Sequence, residues 1–138
     1  MTDMTLTPAI ELSATAATPE VKFDFAAQKL LLKGEAYPEN AAAFFRPLLD
    51  ALESWLQSGQ QTSTPLQLHV ALSYFNSSST KLLFTLFEIL NNHARSGAPC
   101  ELHWYYDPED DISEEFGQEL CIDFPSLAVF LIPDITAC

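Results

Sequence analysis

Positive charge is scarce in this chain. Six lysines and arginines stand against nineteen aspartates and glutamates over 138 residues, a formal net charge of −13. A surface of that sign repels phosphate backbones and anionic headgroups, so no nucleic acid and no membrane surface is expected as a partner. The acid excess also keeps a protein dispersed and by itself names no function. Glycine is scarce too, with four residues. No G-x-x-x-x-G-K-S/T or G-x-G-x-x-G loop and no Gly-x-Ser-x-Gly elbow occurs, so nucleotide cradles and that hydrolase turn are unsupported. The three cysteines, Cys100, Cys121 and Cys138, are odd in number and widely spaced. That excludes a disulfide framework and matches no zinc spacing, which leaves reduced thiols in a cytoplasm. Met1 to Ala17 has no basic flank followed by an apolar stretch, the mark of a signal peptide. No apolar run approaches the ~20 residues a membrane helix needs. The expectation is a cytoplasmic protein with no metal and no cofactor.

Apolar material is plentiful: 48% of residues are hydrophobic and 12% aromatic. That suits one folded domain over residues 10–138, with a flexible tail over residues 1–9. Ile10 to Leu12 reads as a short edge strand. Val21, Phe23 and Phe25 alternate with Lys22 and Asp24, and Lys29 to Gly34 follows after a turn-length Ala26-Ala27-Gln28, so the two runs predict a hairpin. Asn40 is placed to cap a helix carrying Phe44, Phe45, Leu48, Leu52, Trp55 and Leu56, with a kink or tight first segment expected at Pro47 and a stop at Ser58-Gly59. Leu66, Leu68, Val70, Leu72 and Tyr74 predict a strand with one apolar face. Leu82 to about Ala94 predicts an apolar helix stopped by Gly97. Leu102, Trp104 and Tyr106 predict another strand. Asp107 to Glu115 opens a third helix broken by Pro125, and Leu127 to Ile132 is a last strand. Strands joined through helices favour parallel neighbours. The fold class is therefore α/β: a mixed sheet, N-terminal hairpin plus parallel strands, with helices mainly on one face.

Several groups could carry chemistry. Asn76-Ser77-Ser78-Ser79 lies at a strand-to-helix junction, where free N–H groups and a partial positive charge would accept a phosphoryl group on Ser77 or Ser78. Helix capping accounts for the same residues on local grounds. Asp107-Pro108-Glu109-Asp110-Asp111 could hold a divalent cation through oxygen, but it lacks calcium-loop spacing, and a solvated loop opening a helix explains it better. His69 and His103 fall on the wetter side of their strands and would be neighbours if those strands pair. Tyr37 and the aromatics Trp104 to Tyr106 stand near element ends, where they could fill the core or meet a partner.

Four segments in one order carry a resemblance: Thr18-Pro19-Glu20-Val21-x-Phe23-Asp24, Tyr37-Pro38-Glu39-Asn40, Tyr74-Phe75-Asn76-Ser77-Ser78-Ser79-x-Lys81, and Trp104-Tyr105-Tyr106. Together they resemble the SiaC family of bacterial regulatory phosphoproteins. The likeness runs from about Ile10 to Tyr106 and more loosely beyond. It implies a two-layer fold like the STAS domains of anti-sigma-factor antagonists. It implies no enzymatic activity, but a binding protein that in its unphosphorylated form activates a diguanylate cyclase, raising cyclic di-GMP and biofilm formation. A serine/threonine kinase with a histidine-kinase-like ATPase fold would block that binding, and a phosphatase of the PP2C type would restore it. The family's phosphorylated threonine follows Tyr-Phe-Asn directly, which is Ser77 here, with Ser78 the alternative. The implied partner-binding rim is Tyr37, Glu39, Asn40, Asn76, Ser78, Ser79 and Lys81. The alternatives are an anti-sigma-factor-antagonist type of partner switch, or a small enzyme built on His103 and Glu101. The phosphorylation reading requires the Ser77 hydroxyl to be open to solvent.

Overall fold

The computed structural model describes residues 9–133. Most of the expected tail, Met1 to Pro8, lies outside them, as does Cys138. Six strands and three helices follow the expected order: β1 (Ile10–Leu12), β2 (Glu20–Asp24), β3 (Lys29–Ala36), α1 (Ala41–Ser58), β4 (Leu66–Phe75), α2 (Ser77–Arg95), β5 (Cys100–Tyr106), α3 (Asp111–Asp123) and β6 (Ala128–Pro133). They form one mixed sheet in the order β1-β2-β3-β4-β5-β6. The first three strands are antiparallel. From β3 onward each strand runs parallel to its neighbour.

Strand periodicity assigns the faces. Val21, Phe23, Leu30, Leu32, Leu68, Val70, Leu102 and Trp104 all point under the helices and are buried. The alternate residues, among them Lys22, Lys29 and His69, lie on the other face, which no helix among the described residues covers. The helices supply the opposing apolar stripes. On α1 these are Ala41, Phe45, Leu48, Leu49, Leu52 and Trp55; on α2 they are Ser79, Leu83, Leu86, Phe87, Leu90 and Asn91. Both run at the three- and four-residue spacing of one helical face.

The ends are set by specific groups. Asn40 Oδ1 accepts the Ala43 N–H at 3.0 Å. Gly59 closes α1 with a left-handed φ of 75°, a conformation in which a side chain costs energy. Pro47 lies inside α1, which runs from Ala41 to Ser58 as one helix. Asn91, buried at the far end of α2, accepts the N–H groups of Ser126 and Leu127 at 2.9 and 3.1 Å, tying the α3–β6 turn to the helix layer. Gly117 lies where α3 crosses the sheet, and a Cβ there would come within 2.7 Å of both Trp104 and Leu131.

One departure from the sequence pattern matters for the site. Tyr74 is not on the buried face of β4; it is 53% exposed. The pairing of β3 with β4 is regular up to Gly34↔Leu72, and then Glu35 pairs with Tyr74, so Ser73 is an extra residue. This bulge reverses the alternation. Tyr74 turns outward, and Phe75 turns inward against Trp104 and Phe116.

Candidate functional site

The bulge sits near the C-terminal end of β4, and a single residue, Asn76, separates that end from α2. In sheets with parallel strands this end gathers binding groups, because the chain leaves the sheet there and enters a helix at its N-terminus. Asn76 adopts an extended conformation and caps α2, its Oδ1 accepting the Ser79 N–H at 2.9 Å. The Asn76 N–H donates to Ala36 O at 3.1 Å and holds the junction to the end of β3. Among the N–H groups of the first turn, those of Ser77 and Ser78 are left without an intrahelical acceptor.

The helix starts earlier than its apolar pattern indicates, so the serines form its first turn rather than a preceding loop. Ser77 and Ser78 are both exposed, as a modifiable hydroxyl must be. Ser79 is not. It is 0% exposed, and its Oγ has no hydrogen-bond partner among the described residues. Its expected place on a partner-binding rim is therefore corrected. Ser79 is the first member of the buried α2 stripe, four residues before Leu83 and seven before Leu86. Counting that stripe backwards from Leu83 would have found it.

The structure brings the remaining rim residues together. Glu39, Asn40, Ser78 and Lys81 line one cleft between the starts of α1 and α2, of about 340 Å³. Tyr37, exposed, meets Tyr74 edge to face with ring centroids 5.7 Å apart. On the other side of α2 a second cleft, about 360 Å³, is bordered by Tyr74, Thr80, Ile112 and Phe116. Ile112 is 80% exposed. Ser77, at the start of α2, adjoins Ser78 of the first cleft and follows Phe75 of the second by two residues. Sequence pattern did not mark Tyr74 or Ile112, since a period of two puts Tyr74 inside and Ile112 reads as an ordinary helical residue. No acidic residue occupies the first turn of α2, so nothing in that turn opposes an added phosphate.

The other candidates have structural occupations. Asp107 Oδ1 accepts the Glu109 N–H at 2.9 Å, and Asp110 caps α3 by accepting the Ser113 N–H at 3.1 Å. Trp104 is buried, its indole N–H donating to Ser113 O at 3.0 Å. Among the described residues no group of three His, Cys, Asp or Glu side chains could hold a metal ion. His69 and His103 are neighbours by register and stack with centroids 4.4 Å apart. Burial lowers the His69 pKa below 6.5, assisted by His103 and Lys29 and opposed by Glu101. This pair lies on the uncovered face of the sheet, away from Ser77. No helix among the described residues is long and apolar enough to cross a membrane.

A family model described as SiaC family regulatory phosphoprotein matches residues 12–134. The crystal structure of apo-SiaC from Pseudomonas aeruginosa superposes with a TM-score of 0.81 at 29% identity, covering 91% of this chain and 98% of that one. A chain from the crystal structure of diguanylate cyclase SiaD in complex with its activator SiaC, from the same organism, gives a TM-score of 0.82 at 29% identity. It covers 91% of this chain and 99% of that one. An uncharacterised protein of Pseudomonas aeruginosa strain UCBPP-PA14, PA14_02130, is 31% identical over 119 residues, 83% of this chain and 92% of its own length.

Proposed function

This chain belongs to the SiaC family of regulatory phosphoproteins, and from that premise we propose that its unphosphorylated form binds and activates a diguanylate cyclase and that phosphorylation of Ser77 abolishes the binding. It is a regulatory protein rather than an enzyme. The cyclase as partner rests on the likeness to SiaC, which was crystallised with the cyclase SiaD as its activator. The observation that carries the switch is the exposed Ser77 side chain in the first turn of α2, beside the half-buried cap of Asn76. The opposing enzymes are a serine/threonine kinase with a histidine-kinase-like ATPase fold and a PP2C-type phosphatase, all working in the cytoplasm. The docking rim is Tyr37, Glu39, Asn40, Asn76, Ser78 and Lys81, without Ser79.

The energetics suit an on–off device. A phosphoryl group adds about −1.5 to −2 charges at neutral pH. In the free protein it is solvated, and the N-terminus of α2 favours it by ~0.3–1 kcal/mol. The fold therefore accepts the modification. A docked partner would strip water from that dianion, and a buried charge without a counterion costs several kcal/mol. Each ~1.4 kcal/mol lowers affinity about tenfold, so two such steps suffice.

The test is the affinity of purified Ser77→Ala, Ser77→Asp and Ser78→Ala chains for a diguanylate cyclase of the same cell, together with intact mass of the native chain. Ser77→Ala keeps full affinity and stays active in the presence of the kinase. Ser77→Asp, with a single negative charge, loses about tenfold or more. Equal affinities for Ser77→Ala and Ser77→Asp would refute the mechanism. Protection of Ser78→Ala from the kinase would move the acceptor one residue on.

A further inference from the structure

We propose that the uncovered face of the sheet holds a second binding site, for a small aromatic monoanion, between the lysines of the β2–β3 hairpin and the His69 ring. The site is a cavity of about 420 Å³, within the size range of small-molecule sites. Pleat and register build it. Lys22 on β2, Lys29, Leu31 and Lys33 on β3, and His69 and Ala71 on β4 all point to this face. Three of the six basic residues of a chain with net charge −13 therefore surround one cavity.

Within the cavity lining the charges do not cancel. Five carboxylates stand on or beside this face, Glu11, Glu20, Asp24, Glu35 and Glu101, and of these only Asp24 lines the cavity. Glu20 pairs with Lys22 at 3.4 Å. Glu101 holds His103 at 2.9 Å. Asp24 accepts the Ala27 N–H at 3.1 Å in the hairpin turn. Glu11 lies opposite Lys22 in the β1–β2 register. Among the described residues Lys29 and Lys33 make no ion pair. Asp24 lies opposite Lys29 and Glu20 opposite Lys33 in the β2–β3 register, but neither lysine closes to ion-pair distance, and a lining of three lysines against one aspartate favours an anion. Asp24 on the rim reduces the local excess, which favours one negative charge over two.

The rest of the lining suits a flat apolar body. Leu31 and Ala71 form the floor, and Ala71 is only 6% exposed although no helix among the described residues covers it. His69 makes the wall. Its Nδ1 is 2.8 Å from the Tyr105 hydroxyl and its Nε2 is 2.9 Å from Gln67 Oε1, so both nitrogens are engaged and the ring cannot rotate. One side of the ring is stacked on His103; the register puts Leu31 and the cavity on the other. A neutral, fixed imidazole offers a second aromatic ring a stacking surface at little entropic cost. The lysine stems extend the apolar wall and their heads meet the anionic group. This site is independent of the reading of Ser77.

The probe is 1-anilinonaphthalene-8-sulfonate, an aromatic monoanion whose fluorescence rises on binding, titrated into the full chain at low and high salt. Its uncharged relative N-phenyl-1-naphthylamine is titrated in parallel. The sulfonate is expected to bind saturably at one site and to weaken about tenfold in Lys29→Gln/Lys33→Gln and severalfold at high salt. The neutral compound binds at least about tenfold more weakly. Saturation absent in the native chain, an unchanged affinity in the double variant, or equal affinity for the neutral compound would each overturn the proposal. The salt comparison on the native chain decides the matter even if the double variant fails to fold.

Discussion

Replacing Gly117 with alanine sets two effects of known size against each other. Gly117 lies inside α3, where alanine is favoured over glycine by about 1 kcal/mol in an exposed helix. Here the added methyl meets Trp104 Cδ1 and Leu131 Cδ2, each 2.7 Å from the Cβ position. Leu131 is half-buried and has room to turn. Trp104 is 1% exposed and anchored by its hydrogen bond to Ser113 O at 3.0 Å. Overpacking a core costs about 1–3 kcal/mol. If the indole shifts, its N–H is left buried without an acceptor, a further ~1–3 kcal/mol. Set against the helix gain, the net loss is roughly 1–5 kcal/mol. A chain of this length has an unfolding entropy for which 1 kcal/mol moves the midpoint by about 3 °C, so Tm falls by roughly 3–15 °C. Thermal and urea unfolding followed by tryptophan fluorescence read this directly, since Trp55 and Trp104 are both buried. A Gly117→Ala chain as stable as the parent, or more stable, would show that α3 does not pack on Trp104 as described.

Ser79→Ala should act in the opposite direction. It removes a hydroxyl that is buried without a partner and adds helix preference, for a gain of about 0.5–2 kcal/mol with partner affinity unchanged; a lower urea midpoint at constant m-value would contradict the orphaned hydroxyl. His69 should titrate by NMR with a midpoint below 6.5, because burial disfavours its charged form. Its folded pKa lies below its unfolded one, so its contribution to stability is full above the unfolded value and is lost as pH falls from about 6.5 toward the folded pKa. That part of the acid sensitivity should vanish in His69→Gln, and an identical pH profile for both chains would refute it. Burial raises the Cys100 thiol to about 11, so alkylation at mildly alkaline pH should label the exposed Cys121 and spare Cys100 until the chain unfolds. Peptide mass mapping that finds equal labelling of the two would place Cys100 outside the core.

Local pattern reached far in this chain because most of its elements are signalled over a few residues. Asn40, Asn76 and Asp110 each precede a helix and each accepts the N–H three residues on. Gly59 and Gly97 follow helices with φ values of 75° and 111°. Val21 and Phe23, and Leu66 through Leu72, alternate as strands must when one face is covered. The family likeness brought Ser77 and its neighbours into view, and of these Ser77 and Ser78 are exposed.

What periodicity could not reach depends on partners distant in the chain. The Ser73 bulge exists only against β3, and it alone decides that Tyr74 faces solvent and Phe75 the core. Ser79 is polar by composition, yet it falls on the α2 stripe once the helix packs, and the sheet beneath seals it. Lys29 and Lys33 read as solvated strand residues, and only the parallel pairing of β3 with β4 sets them around His69. A run of residues specifies which backbone hydrogen bonds it can make within itself. Which side chains share a surface is settled when separate runs pair, because register and bulges are properties of two strands and never of one.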